Sequence, residues 1–398
     1  MTHPSNSSCQ GTVMNNLDLA HTMLSARLVL QPVDSDIEVK ILKEVENVGP
    51  VNNLLHSMFN QVDVFFNQTL VSPPNNTYAY KAYIETFLNY GSDAIKSHLT
   101  SSLWYGDTAG KMNCLDGDNE GHKRRCALAG VGKPIDLIGH LHCNVFNQDR
   151  FLINGVEIRL RLVRSRDSFC VMDPTDSFKV HILEATLLVR RVNRKNPGIL
   201  LSHERALAKT TVKYPLTRVE VKVMSMHAGL HGETLDNAIL GQLPKRIILG
   251  FVDNRAFNGD RKVDPFNFAH YNINYLSLYV DGIQIPSKPL RPNFTKNRLY
   301  VDAYHTLFSG TGTHFLDQGN CIDVEKYPDD YCLLAFGLTP DLSANENSHW
   351  NLIKHGSVRI EVRFEIALSS TVNCIIYAEY ENVLEIDASR YVLVDFNG

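Results

Sequence analysis

The sequence has no long apolar run, no marked excess of charge and no segment typical of secretion. Apolar runs such as IILGFV at 247–252 are far shorter than the roughly twenty residues that a membrane-spanning helix needs, so no membrane span is predicted. The first thirty residues have neither a basic lead nor an unbroken apolar block, and a secretory signal is not expected. A net charge of −4 gives no electrostatic reason for nucleic-acid binding as the main activity.

Cysteine occurs in no spacing that predicts a site. There is no Cys-x-x-Cys pair, which excludes a zinc ribbon and a thioredoxin-type redox pair. Scattered cysteines in a chain of 398 residues do not make a disulfide scaffold, and reduced thiols are expected. The eight cysteines are Cys9, Cys114, Cys126, Cys143, Cys170, Cys321, Cys332 and Cys374. The sequons at Asn6, Asn67, Asn75 and Asn293 matter only in the secretory route and are interpreted as incidental.

Alternating apolar residues are abundant instead. Leu216, Val219, Val221 and Val223 mostly occupy every second position, which is typical of a strand with one buried face. The pair Asp281-Gly282 lies between two short apolar runs and predicts a tight hairpin. Composition is that of a globular protein, with 44% hydrophobic and 21% charged residues. Regularly spaced short strands with few helical periods therefore predict an all-β sandwich or jelly roll.

The strand pattern occurs twice in the same order. DVFFNQTLV at 63–71 aligns without a gap with SLYVDGIQI at 277–285. Further matches pair Ala82, Tyr83, Phe87 and Gly91 with Ala303, Tyr304, Phe308 and Gly312, and Leu152, Ile153, Ile158, Arg159 and Leu160 with Leu352, Ile353, Val358, Arg359 and Ile360. Three ordered matches predict two similar β-domains in tandem.

We therefore expect two jelly-roll barrels joined by a linker. The first spans 1–192, with a long exposed loop near 106–133 that is rich in Gly, Asp, Asn and Lys. The linker spans 193–214 and contains a short helix at 202–209, capped by Ser202. The second spans 215–398. A strand is expected at 299–307, and 228–240 is expected to be a loop at a barrel end.

Two histidine pairs are candidates for metal sites. His140 and His142 on one strand would share a face, as in the metal site of cupin barrels. The cupin pattern requires Glu four residues after the second His, where this sequence has Phe146, so partly buried histidines are the better interpretation. His227 and His231 are four residues apart but flank Gly229 without a helical pattern, and are expected in a loop.

Short nucleotide-binding and hydrolase motifs are incomplete. AGVGK at 129–133 resembles the end of a phosphate loop, but Ala127 replaces the leading Gly and Pro134 stands where Ser or Thr is needed. The glycines at 310–312 precede no helix start, and no Gly-x-Ser-x-Gly elbow occurs. No catalytic, cofactor-binding or metal-binding residue is predicted, and no enzyme activity is expected.

Arginine-rich stretches offer one further possibility. They contain Arg159, Arg161, Arg164 and Arg166, and later Arg190, Arg191, Arg194 and Lys195. Arg159 and Arg161 would share one strand face. Such a stripe suits a solvated or subunit-facing surface, or passive contact with nucleic acid without reading its sequence.

Longer phrases resemble a known family. They are VGPVNNLLHSMFNQVDV at 48–64, NNTYAYKAYIET at 75–86, LING at 152–155, HILEA at 181–185, YPLTRVEV at 214–221 and FNFAHYN at 266–272. Together they resemble the major capsid proteins of Maverick (Polinton) elements and adintoviruses, over about 47–387. One departure is that relatives usually carry more chain before the segment matching 17–30, including the opening strand of the first barrel.

The resemblance implies a double jelly roll and a structural role. The expected unit is a homotrimeric, pseudo-hexameric capsomer of an icosahedral double-stranded DNA virus or virus-like transposon, located in the virion and in the host cell interior during assembly. Expected partners are neighbouring capsomers, a minor (penton) capsid protein and, passively, packaged DNA. No cofactor is expected. The alternative is a bicupin-like metal-dependent enzyme or a tandem β-sandwich carbohydrate-binding protein, which would hold metal or ligand inside a barrel. A host-domesticated capsid relative is a third alternative.

Overall fold

The computed structural model of the protein describes residues 8–9, 17–32, 47–73, 76–175, 177–191, 197–296, 299–313, 319–339, 344 and 353–394. Antiparallel β-strands connected by short helices make up the fold. We call the residues up to Arg191 the first half and those from Val212 the second half. No described helix has the length and apolar character needed to cross a membrane.

The first half contains two main sheets and a small one. Its strands are β1 Ser8–Cys9, β2 Leu17–Pro32, β3 Gly49–Pro50, β4 Phe59–Phe66, β5 Thr69–Leu70, β6 Ile135–His140, β7 Ile158–Arg164, β8 Val171–Met172 and β9 Phe178–Arg191. The sheets have the orders β1-β7-β4-β5, β6-β2-β9 and β3-β8. The helices are α1 Leu54–Ser57, α2 Tyr78–Asn89, α3 Ser92–Lys96, α4 Glu120–Leu128 and α5 Asp167–Cys170.

The second half repeats this plan. After α6, Pro197–Leu207, come β10 Val212–Met226, β11 Gly232–Gln242, β12 Arg246–Asp253, β13 Ile273–Val280, β14 Ile283–Leu290, β15 Leu333–Gly337, β16 His355–Phe364, β17 Val372–Ile386 and β18 Val392–Val394. The helices α7 Asn254–Asn258 and α8 Val301–Ser309 lie between strands. The sheets are β11-β16-β13-β14 and β10-β17-β12-β15, with β18 paired to β17. The predicted all-β fold of two tandem jelly rolls is confirmed.

Matching registers support the internal duplication. Val64 lies opposite Leu160 between β4 and β7, and Leu278 lies opposite Ile360 between β13 and β16. These are the positions that the two sequence alignments pair with each other. Both copies therefore use the same strand pairing, not only the same strand pattern.

The predicted hairpin at Asp281-Gly282 is present, and the aligned pair Asn67-Gln68 turns in the same way. Asp281 and Gly282 have φ of 50° and 82°, and Asn67 and Gln68 have φ of 47° and 74°. Positive φ at both central residues is the geometry of a type I′ turn, which matches the twist of the flanking strands. The hairpins β4–β5 and β13–β14 follow from this local chemistry.

The predicted strand at 299–307 is wrong, because α8 occupies 301–309. Ala303 and Leu307 are its buried residues, and their spacing of four is helical. Aromatic and β-branched neighbours obscured this period in the sequence. The duplication is consistent with the correction, since α2 and α8 each follow a hairpin.

Three further expectations need correction. The segment 106–133 is a partly exposed loop only as far as Asn119: it then forms α4, capped by the Asn119 side chain, and it buries Met112 and Arg125 completely. Its polar residues bond to one another inside the protein, which composition does not reveal. The helix expected at 202–209 instead spans Pro197–Leu207, with Pro at a first-turn position that needs no donor. Ser202 therefore lies within the helix.

The segment 228–240 is mostly strand. Only its first residues form the turn before β11, and β11 pairs with β16 from Gly232 onward. Its irregular register, with a break between Leu235 and Ile239, explains why the alternation was missed.

The halves share their cores. Tyr83 and Phe87 of α2 belong to the core cluster of the second half. Conversely, Leu384, Ile386 and Val392 belong to the core cluster of the first half. Each half therefore completes the buried apolar surface of the other, and we expect both to unfold together.

Candidate interaction surfaces

Helix α2 joins the halves through aromatic rings. The Tyr83 ring stacks on Phe266 with centroids 4.3 Å apart, and the Phe87 ring stacks on Tyr331 at 5.7 Å. Phe268 lies near Tyr83 at 5.9 Å and directly over Gly250 of β12, where an added Cβ would approach its ring to 2.5 Å. Stacked aromatic contacts with so little free space give a rigid junction.

A buried carboxylate lies at the centre of this junction. Glu85 accepts hydrogen bonds from Nδ1 of His142 at 2.7 Å and from the Tyr377 hydroxyl at 3.3 Å, and the Lys81 ammonium lies 3.8 Å away. Burial acts to raise the pKa of Glu85, but Lys81 and the hydrogen bond from His142 outweigh it and lower the pKa. Lys81 also donates to Oδ1 of Asn144 at 2.6 Å. The charged Glu85 carboxylate, with hydrogen bonds from two side chains, thus links α2 to β17.

The His140 and His142 pair does not form the geometry of a metal site. Nε2 of His142 contacts Oγ1 of Thr86 at 3.3 Å, so both ring nitrogens have protein partners. His140 is exposed. The ring of His56 lies edge-on to His142 at 4.7 Å, and burial, followed by the charges of His142 and His140, lowers the pKa of His56 well below its usual value.

Among the described residues, no three His, Cys, Asp or Glu side chains converge as metal ligands. His227 and His231 are exposed at the turn between β10 and β11, as predicted for loop histidines. Residues 129–133 follow the C-terminal end of α4, and the Gly132 amide donates to the Leu30 carbonyl. The glycines at 310–312 likewise follow the end of α8. Neither segment offers a helix N-terminus to a phosphate.

A second buried charge cluster was not predicted. Arg125 donates to the Pro50 carbonyl, the Tyr105 carbonyl and Oδ1 of Asp107, each at 2.8 Å. Asp264 is fully buried, and burial together with the negative charge of Asp107 raises the pKa of Asp264 to about 7. Oδ2 of Asp264 is buried without a hydrogen-bond partner. The acidic and basic residues of 106–133 predict a solvent-exposed segment. No sequence signal distinguishes the buried Arg125 and Asp107 from exposed charged residues.

Of the two arginines on one face of β7, only Arg159 is available to bind a partner. Arg159 is exposed and lies over the Phe65 ring at 4.2 Å, whereas Arg161 donates to Oδ2 of Asp63 at 2.7 Å. Arg359 lies over Tyr279 at 4.4 Å, which repeats the first contact in the second half. The sequence alignment pairs the two arginines, and the matching turns pair the two rings.

The other arginines of these stretches are partly hydrogen-bonded and partly exposed. Arg164 donates to Oδ1 of Asp167 at 3.1 Å, and Arg166 and Arg190 are exposed. The Arg191 side chain, Arg194 and Lys195 lie outside the described residues.

The outer sheet faces of the two halves differ in exposure. In the second half, β12 is buried on both faces from Arg246 to Val252. In the first half, Leu24, Ala26 and Leu28 of β2 are buried but Arg27 between them is exposed. We call the exposed outer surface of sheet β6-β2-β9 the first-half face, and the outer surface of sheet β10-β17-β12-β15 the second-half face.

The first-half face carries an ion pair and exposed apolar side chains. Arg27 donates to Oδ1 of Asp136 at 2.6 Å and lies opposite Glu184, beside an open cavity of about 350 Å³. Ile138 and Leu188 are 36% and 44% exposed. The described residues of the first half contain no counterpart of β10 in this sheet. The face is therefore a mixed polar and apolar surface next to a sheet edge.

Comparison with solved structures identifies the fold. A chain of the Sputnik virophage, determined by electron cryomicroscopy, has a TM-score of 0.61 and 11% identity over 100% of this chain and 87% of its own. The mavirus major capsid protein has a TM-score of 0.53 and 11% identity, over 98% and 88%. The Faustovirus major capsid protein has a TM-score of 0.53 and 8% identity, over 94% and 86%. The chain has the double jelly-roll fold of these viral proteins.

Sequence comparison adds a distant relative. An uncharacterized protein of Caenorhabditis elegans is 25% identical over 364 residues, which cover 89% of this chain and 84% of that protein. No family model matches the chain.

Proposed function

We propose that this protein is a major capsid protein that forms homotrimeric, pseudo-hexameric capsomers of an icosahedral double-stranded DNA virus or virus-like transposon. The observation that carries the proposal is the tandem duplication of the jelly roll with matching register, in a chain of which 98% aligns with the mavirus major capsid protein and 94% with that of Faustovirus. The phrases resembling Maverick (Polinton) and adintovirus capsid proteins support the transposon link.

The geometry supplies a physical reason for trimers. Two similar barrels in one chain, repeated around a threefold axis, give six similar wedges in a ring. Such a ring has a nearly hexagonal outline and can tile a closed shell. We take the barrels to span 1–192 and 215–398, joined by 193–214. The role is structural rather than catalytic.

The proposed location and partners follow from the role of a protein that forms a viral shell. The protein is placed in the virion capsid, and in the host cell interior during assembly. Its partners are neighbouring capsomers and a minor (penton) capsid protein. Packaged DNA is contacted passively, and exposed Arg159 on its aromatic support is a suitable group for phosphate contact.

Mass measurement in solution tests the proposal directly. The full chain should elute as a trimer in size-exclusion chromatography with light scattering at micromolar concentration, and electron micrographs should show hexagonal particles or shells. A monomer that is stable at micromolar concentration would contradict the proposal. Metal analysis of the same sample separates the bicupin alternative, which requires a bound metal ion.

A further inference from the structure

The junction inside one chain shows how one half binds the other. Helix α2 of the first half packs on the second-half face, where Glu85 bonds to Tyr377 of β17 and Tyr83 stacks on Phe266. All of α2 from Tyr78 to Leu88 is buried. A helix on a sheet face is therefore the contact through which consecutive barrels meet.

Helix α8 is the counterpart of α2, but it is covered only in part, because the Tyr304 hydroxyl donates to the Ile322 carbonyl and the Tyr304 ring packs against Tyr327. The alignment places Tyr304 at the position of Tyr83 and Phe308 at that of Phe87, and both are only half-buried. In the same alignment Val301 corresponds to Tyr80, which is 2% exposed, whereas Val301 is 40% exposed. His305 is exposed as well. The part of this helix face at Val301, His305 and Phe308 thus remains accessible in α8, whereas its counterpart in α2 is buried.

The first-half face is the counterpart of the surface that α2 covers. Arg27 of β2 lies opposite Glu184 of β9, as Arg246 of β12 lies opposite Glu379 of β17. In the second half this pair is buried, with side chains 9% and 13% exposed. In the first half the Arg27 side chain is 51% exposed. The described part of the chain therefore contains an accessible helix face on α8 and an exposed sheet face in the first half, each equivalent to a covered surface in the other half.

We propose that α8 of one copy docks on the first-half face of a second copy. This inference rests on the proposed trimer and names the surfaces that build it. Val301 and Phe308 would cover Ile138 and Leu188, and the His305 ring would lie beside the carboxylates of that surface, to which a ring N–H can donate. The contact is head-to-tail. The contact between two copies would have the same geometry as the contact between α2 and the second-half face inside one copy. Three copies, with six barrels, would therefore close a ring.

Two substitutions with a matched control test the contact. Leu188→Glu places a charge on the first-half face, and Val301→Glu places one on α8. Both positions are already substantially exposed, so folding should be preserved, as circular dichroism can verify. Ile366→Glu is the control, since Ile366 is 60% exposed and lies on neither surface. Wild type and Ile366→Glu should be trimers, whereas Leu188→Glu and Val301→Glu should each be monomers at micromolar concentration.

Mixing the two variants tests the head-to-tail geometry. Leu188→Glu retains an intact α8, and Val301→Glu retains an intact first-half face. One interface can therefore form between them but the ring cannot close, and the mixture should contain heterodimers. A mixture that remains monomeric, or that returns to trimers, would overturn the docking proposal.

The outcomes separate this inference from the proposed function. If wild type is a trimer and either single variant also remains a trimer, the docking surfaces are wrong and the capsid proposal stands. If wild type is a monomer, the trimer itself is overturned.

Discussion

Nη2 of Arg125 donates a hydrogen bond to Oδ1 of Asp107 at 2.8 Å, with both side chains almost completely shielded from solvent, at 0% and 2% exposure. The pair fixes the segment before α4 against its first turns. A buried ion pair of this kind stabilises little relative to an apolar pair, but the loss of one partner strands a charge.

Arg125→Met should therefore destabilise the protein by about 3–5 kcal/mol. Asp107 would remain buried and lose its cation. Chemical unfolding followed by intrinsic fluorescence measures the change. Arg124→Met is the matched control, because Arg124 is exposed on the same helix, and it should change stability by no more than ~0.5 kcal/mol. Equal effects of the two substitutions would refute the assigned role of the pair.

Asp264→Asn should change how stability depends on pH. The pKa of Asp264 is raised from 3.8 to about 7 in the folded protein, so the folded state binds this proton more tightly than the unfolded chain. That stabilisation is complete below the unfolded value and is lost as pH rises through about 7. The asparagine does not titrate and retains an acceptor for the Phe266 amide. The stability of wild type relative to the variant should therefore fall as pH rises from 5 to 8.

Denaturant unfolding across that range measures the effect. Asp236→Asn is a suitable control, since Asp236 is solvent-exposed, and its profile should parallel that of wild type. Parallel profiles for wild type and Asp264→Asn would contradict the prediction.

Glu85→Gln should weaken the junction between the halves. The substitution leaves Lys81 buried without its carboxylate and weakens the bonds from His142 and Tyr377, at an expected cost of about 3–5 kcal/mol at neutral pH. Because the pKa of Glu85 is lowered, the stabilisation is present above the unfolded value of 4.5 and lost as pH falls through the folded value. The difference between wild type and variant should shrink in acid.

Thermal unfolding at neutral and acidic pH provides the readout. Glu120→Gln is the control, because the Glu120 side chain is 77% exposed and its ion pair with Lys123 is open to solvent. That substitution should be nearly neutral. If the difference in stability between wild type and Glu85→Gln grows in acid, the prediction is wrong.

Gly250→Ala should introduce a clash in the second-half face. An added Cβ would lie 2.5 Å from Cδ1 of Phe268 and 2.6 Å from Cδ2 of Leu333, and overpacking of this kind costs roughly 1–3 kcal/mol. Gly106→Ala is the control, with nothing within 4 Å of the added atom. Melting temperatures of the two variants give the comparison, and identical values would exclude tight packing at Gly250.

Local chemistry made part of this fold predictable. The Asp281-Gly282 turn was clear because few residue pairs tolerate positive φ twice in succession. The duplication was clear because strand alternation and turn spacing repeat together. By contrast, Ala303 and Leu307 mark a helix only through two buried positions among aromatic neighbours, and strand was predicted there instead.

The contacts that shape the candidate surfaces were not predictable in this way. Glu85 and Tyr377 lie in different halves, as do Tyr83 and Phe266, and no local pattern links such distant positions. Arg125 and Asp107 occur in a segment whose composition is typical of a solvated loop. Long-range pairing decides burial there, and the local pattern of a single sequence does not reveal it.

The last described residues of the chain complete the first half, which has a consequence for folding during synthesis. Arg390 donates from Nε to the Asn154 carbonyl, and the Asn67 side chain donates to the Arg390 carbonyl, while Leu384 and Val392 enter the core of the first half. On the ribosome, the N-terminal barrel emerges long before these residues are translated. We therefore expect the N-terminal barrel to keep apolar surface exposed during translation until these residues have been added.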